Sequence, residues 1–243
     1  MRSQTFFSLV AVATCVSGKP FVRRDVIPHD TVEPFEETVQ DGAIGDTIRR
    51  FEPYLNIANG CQSYPAVDAD GNTSSGLEDE GGETDNCEDD TKGQTYARAG
   101  EYNDRWAIMY SWYMPKDQPL DNLPIGSHRH DWENVVVWVD DANSPNASLI
   151  GGAASAHGEY KKTTEPQTEN GTRVKVGYFS EFPTNHELEF TDDLGRDLPL
   201  VDWDAIPQAS RDALESTDFG DATVPFKEDQ FLGKLEEAYD LEG

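Results

Sequence analysis

A single antiparallel β-sandwich with helices at its edges is the fold class this sequence predicts, mainly β in content. Three observations lead to it. Residues 105–114 and 135–139 are long runs of aromatic and β-branched side chains, the composition that fits a pleated, buried surface. Shorter runs of similar character follow at 148–155, 172–179 and 187–190, with turn residues between them. Helical spacing is confined to the flanks.

In chain order, Ile44, Ile48, Phe51 and Leu55 predict a helix over 44–55. Residues 67–93 are dominated by Asp, Glu, Gly, Ser and Thr and have little to bury. Cys61 and Cys87 bracket most of that stretch and are expected to tie it down as a surface loop. Within it, Asp68-Ala69-Asp70-Gly71-Asn72 resembles part of a calcium loop, but the position that needs a bidentate Glu falls on Asp79. The strand 105–114 is expected to stop at Pro115-Lys116-Asp117, and a loop through Pro119, Pro124 and Gly126 leads to the next. Pro207 opens a helix running to Leu214. Phe231, Leu232, Leu235, Ala238 and Tyr239 mark a last amphipathic helix. With 243 residues and no internal repeat, one domain is expected.

Residues 1–18 read as a secretory signal: Arg2, a short apolar stretch, then Ser17-Gly18. Residues 19–24 read as a short propeptide ending at the dibasic Arg23-Arg24, leaving 25–243 as the domain. Cys15 leaves with the leader, so Cys61 and Cys87 are the expected disulfide of a secreted, extracellular chain. Asn72, Asn146 and Asn170 each begin a glycosylation sequon. The formal charge of −28, from 47 acids against 19 basic residues, argues against nucleic acid as a partner and favours divalent cations.

The densest chemistry lies in His128-Arg129-His130-Asp131-Trp132-Glu133, directly before the run 135–139. In an extended strand His128 and His130 point to one face and Arg129, Asp131 and Glu133 to the other. A bend at the strand entrance would let ligands from both sets meet. If the two strands pair through their loop, Asp117 joins them. Carboxylates with one or two imidazoles suit a hard ion, Mg²⁺ or Ca²⁺, better than zinc. The bland readings are an Arg129–Glu133 salt bridge, a structural His-x-His, and Trp112, Trp132 and Trp138 as core. A zinc hydrolase or lyase using His130 or His157 is a further alternative. No nucleophile elbow or His-Glu-x-x-His helix occurs, and no enzymatic activity is expected.

The cluster 128–133 and the upstream 107–117 resemble the signature of the necrosis- and ethylene-inducing peptide-like proteins. Further segments resemble the family in the same order: Ile27-Pro28-His29-Asp30, Ser155-Ala156-His157-Gly158, Asn185-His186-Glu187-Leu188, Val201-Asp202-Trp203, Thr217-Asp218-Phe219-Gly220 and Val224-Pro225-Phe226. The cysteine pair resembles the two-cysteine type 1 branch. The resemblance implies a sandwich like that of actinoporins and fungal lectins. It also implies a divalent cation held by Asp117, His128, Asp131 and Glu133, supported by Arg129, His130 and Trp132. It further implies a secreted toxin, acting as a monomer, that binds the headgroup sugars of plant plasma-membrane sphingolipids. Membrane damage, necrosis and ethylene release would follow, and 107–133 resembles the peptide pattern that plant immune receptors detect. A non-cytolytic elicitor or lectin-like module of the same fold is the alternative. One departure stands out: Ser127 precedes His128 where the family pattern has Gly, and Gly126 is displaced by one.

Overall fold

The computed structural model describes residues 24–123, 125–180 and 185–242. The leader, Arg23 and Pro124 lie outside the described residues. The strands are β1 (Val26–Ile27), β2 (Tyr54–Ile57), β3 (Thr73–Ser74), β4 (Thr95–Tyr102), β5 (Arg105–Asp117), β6 (His128–Val139), β7 (Leu149–Ala156), β8 (Glu159–Thr163), β9 (Thr168–Glu169), β10 (Arg173–Ser180), β11 (His186–Phe190) and β12 (Leu200–Asp202). The helices are α1 (Ala43–Arg50), α2 (Gln208–Ser216) and α3 (Phe231–Tyr239).

One sheet runs β12-β4-β5-β6-β7-β8 and a second runs β11-β10-β2, with β9 beside β10. The expected mainly β sandwich is present. Its central ladders are antiparallel, whereas β12 joins β4 and β2 joins β10 in parallel. The sheets meet where Tyr178 of β10 reaches Asp131 of β6 and where Gly152 of β7 leaves room for the Phe190 ring of β11. The opposite face of the large sheet is covered by the C-terminal segment: Trp132 packs on Phe219 and Phe226, and Trp138 on Tyr239 of α3. The interior is aromatic, with Trp112, Trp138, Tyr110 and Tyr113 fully buried, so the large sheet is a closely packed platform.

Two boundary expectations are corrected. The helix expected over 44–55 ends at Arg50, and Leu55 belongs to β2, where it pairs with Val176. Glu52-Pro53 breaks the helical run, because Pro53 supplies no N–H and disfavours helix at Glu52. Leu55 is buried all the same, as a strand residue. Second, β5 does not stop at Pro115 but continues to Asp117.

Between α1 and β2 the buried Glu52 pairs with Arg173, 3.2 Å away, which also holds Asp197 at 2.6 Å. Burial, then the Asp197 charge, push Glu52 up to about 8 despite Arg173. An acid whose folded pKa is raised stabilises the fold fully below its unfolded value near 4.5, and that contribution is lost as pH rises through about 8. Thermal melts of wild type and Glu52→Gln from pH 4.5 to 8.5 should therefore diverge, the wild type losing more Tm toward the alkaline end. Parallel curves would contradict this assignment.

Candidate functional site

The site starts with a hairpin register. Asp117, last residue of β5, pairs with His128, first residue of β6, so two residues eleven positions apart in sequence become neighbours. His128 and Asp131 would face opposite ways along a regular strand. His130 breaks the alternation by taking φ +61°, and it lies opposite Pro115, between the pairs Met114–Asp131 and Lys116–Arg129. Proline has no N–H to give that ladder, and its carbonyl accepts instead from the Leu77 N–H at 2.8 Å. The expected bend is thus a left-handed residue across from a proline.

Asp117, His128 and Asp131 can each aim one ligand atom so that all three lie within 4.8 Å of one another. Neighbours fix each orientation. Nδ1 of His128 donates to the His130 carbonyl at 2.6 Å, which leaves Nε2 facing Asp117 Oδ2 at 3.6 Å. Asp131 Oδ2 accepts from the Tyr178 hydroxyl at 2.9 Å. Asp117, fully buried, accepts from His186 twice, from Nδ1 at 2.5 Å and from the backbone N–H at 2.9 Å. Glu133 stands apart from this converging group. It accepts from the Ser155 hydroxyl and lines the same cavity, about 430 Å³, beside His128, Asp131, Asn134, Tyr160 and Lys234.

The electrostatics describe a site crowded with negative charge. Burial first, then Asp117, push Asp131 up to about 6. Burial and Asp131 drive Glu133 well above the usual carboxylate range. Burial opposes the charge on His128, yet Asp131 and Asp117 raise it. Packing these acids together out of water is unfavourable unless a cation compensates them. Two carboxylates, an imidazole with its far nitrogen already committed and a third carboxylate nearby fit a hard divalent ion.

The other motif residues do different work. His130 turns away from the acids, its Nδ1 2.6 Å from the Tyr113 hydroxyl and its ring edge-on to Phe219 at 5.1 Å. Burial, then Arg129 and His128, hold it down at about 4. Trp132 packs in the core, as do Trp112 and Trp138. Arg129 pairs with Glu78 and donates to the Ser75 carbonyl, which corrects the Arg129–Glu133 bridge. His157 pairs with Glu187 at 3.3 Å, so neither His130 nor His157 joins the acid group, as the zinc alternative requires. Gly126 takes φ +76°; the displaced glycine supplies the turn, and Ser127 donates its hydroxyl to Asp79.

The expected disulfide joins Cys61 and Cys87. Asp68 spends its carboxylate on the Asp70 and Asn72 N–H groups and the Asn72 side chain, holding a turn. Asn72 is occupied on both sides by Asp68 and the Asp25 N–H, whereas Asn146 and Asn170 stand exposed. Residue-by-residue reading of the sequence missed Tyr178, Ser155 and His186. Ser155 and His186 carried a signal only as members of the segments Ser155-Ala156-His157-Gly158 and Asn185-His186-Glu187-Leu188, and Tyr178 carried none.

The fold and the site together define a β-sandwich with an acid-lined cavity where the β5–β6 hairpin opens. The pattern of the family described as necrosis inducing protein (NPP1) matches residues 45–238, and the chain belongs to that family. It is 44% identical to the necrosis-inducing protein NPP1 of Phytophthora nicotianae, over 98% of this chain and 99% of the relative. A solved structure of NLPPya in complex with mannosamine shares 48% identity and a TM-score of 0.82, over 88% of this chain and 99% of that one. The non-toxic HaNLP3 protein shares 38% identity and a TM-score of 0.83, over 88% and 100%.

Proposed function

We propose that this chain is a secreted, non-enzymatic cytolytic effector that recognises the headgroup sugars of plant plasma-membrane sphingolipids through a divalent cation. Asp117, His128 and Asp131 would hold the ion, with Glu133 beside it. The observation that carries the reading is the convergence of those three ligand atoms, with His128 and Asp131 lining an open cavity and Asp117 buried behind them. The ion would supply a positive centre for sugar hydroxyls in a pocket that otherwise repels anions. The side chains do the rest: Tyr178 and His186 fix the carboxylates, while Asn134, Tyr160 and Lys234 offer hydrogen bonds along the wall. The complex of NLPPya with mannosamine supports an amino sugar as a probe. Calorimetric titration of mannosamine into the purified chain with Mg²⁺ should give saturable binding, and chelator should abolish it. Equal binding in chelator would sink the role given to the ion.

The bilayer would be met by the loop joining β5 to β6. Leu123 and Ile125 there are 51% and 58% exposed, on a segment whose two ends carry Asp117 and His128. Among the described residues no helix is long and apolar enough to cross a membrane. Leu123→Ser with Ile125→Ser should leave mannosamine binding unchanged and reduce vesicle leakage at least tenfold. Undiminished leakage would place the bilayer contact elsewhere.

A second reading, a non-cytolytic elicitor, is favoured by the likeness to non-toxic HaNLP3, which separates this fold from toxicity. Leaf infiltration divides the two: necrosis supports the cytolysin, and an immune response without cell death supports the elicitor.

A further inference from the structure

We infer that Glu83 is a positioning residue for the cation site, acting on Asp117 through His186. The inference rests on the divalent-cation reading. Two atoms carry it. Glu83 Oε1 and His186 Nε2 are both closed off from solvent with no hydrogen-bond partner, and they face each other at 3.4 Å. Leaving either unmatched in a buried place is unfavourable, and each is the polar atom that faces the other.

On its other side the same ring serves the site directly. Nδ1 reaches Asp117 Oδ1 at 2.5 Å, and the His186 backbone N–H reaches Oδ2 at 2.9 Å. The ring also lies flat on Tyr178, with centroids 4.5 Å apart and planes 10° apart. Stacking fixes the tilt of an imidazole but not its rotation within its own plane. That rotation decides whether Nδ1 points at Asp117, and a contact at Nε2 sets it.

The surroundings hold Glu83 in place. It lies inside the segment closed by Cys61–Cys87, and its N–H donates to Asp121 at 2.8 Å. The preceding carbonyl, of Gly82, accepts from buried Lys116 at 2.7 Å. From the other end of the crosslinked loop Gly60, at φ +81°, comes so close that a Cβ there would collide with Nε2 of His186. Both ends of one tied loop therefore converge on a single ring nitrogen. The shape of the acidic loop is passed to Asp117 while Glu83 itself touches no ligand.

The test is titration of Mg²⁺ and Ca²⁺ into the full chain by calorimetry, with melting temperature recorded alongside. Glu83→Ala should weaken binding by about 10–100-fold, as loss of a ligand-orienting group does elsewhere, at a Tm close to wild type. Glu83→Gln should stay within about threefold, because its amide can still partner Nε2. Should Glu83→Ala fail to fold, Glu83→Met fills the volume without an acceptor and should show the same loss. Wild-type affinity in Glu83→Ala or Glu83→Met would overturn the inference and leave the cation reading standing. Equal loss in Glu83→Gln would overturn it in favour of a pure charge effect. A wild-type chain that binds no divalent ion would remove the cation reading and this inference with it.

Discussion

Asp131→Ala is expected to abolish divalent-cation binding and to remove leakage from vesicles carrying glycosylated sphingolipid, while the fold survives. Asp131 is the only one of the three converging ligands that both faces the cavity and carries a carboxylate. Its charge is held against burial and against Asp117, which push it up to about 6, so its removal relieves repulsion in the ion-free chain. The Tyr178 hydroxyl loses its partner, which costs about 1–3 kcal/mol and partly offsets that relief. Ligand linkage gives a clean readout. At an ion concentration 100-fold above Kd the wild type should gain about 2.7 kcal/mol of stability, and Asp131→Ala should gain none. Equal ion-dependent gains in both chains would remove Asp131 from the binding group.

The second large effect is structural. Phe219, 2% exposed, lies edge-on to His130 and Trp132 and tilted against Tyr113, with centroids 5.1, 5.8 and 5.8 Å away. It fastens the C-terminal segment to the reverse side of the kink that aims His128 and Asp131. Phe219→Ala should cost about 3–5 kcal/mol, the range for emptying a buried aromatic site, and Phe219→Leu clearly less. Chemical denaturation measures both. A loss below about 1 kcal/mol for Phe219→Ala would show that this cluster does not hold the segment.

Much of this arrangement was legible from sequence because it follows from local composition. The runs at 105–114 and 135–139 became the two central strands, β5 and β6. The cluster at 128–133 sits where expected, at the entrance of the second. What escaped depends on pairing between distant segments. Pro115 reads as a strand terminator because it cannot donate to a ladder. Here the residue opposite is His130 in a left-handed conformation, so no donor is missed and β5 runs on to Asp117. Leu55 fits a helical stripe as well as a strand, and only its pairing with Val176 decides. Tyr178 and Ser155 are ordinary strand residues whose hydroxyls matter because of what lies across the sheets. Alternation alone put His128 and Asp131 on opposite faces, and one backbone dihedral reversed it.

Leakage of dye from vesicles containing glycosylated inositol phosphorylceramide, measured with Mg²⁺, with chelator, and after Mg²⁺ is restored, shows whether a bound cation is what makes the lipid recognisable. Leakage is expected with the ion, loss in chelator and recovery on restoration, with vesicles of plain phosphatidylcholine intact throughout. Leakage that is indifferent to chelator, or equal on both kinds of vesicle, would contradict it.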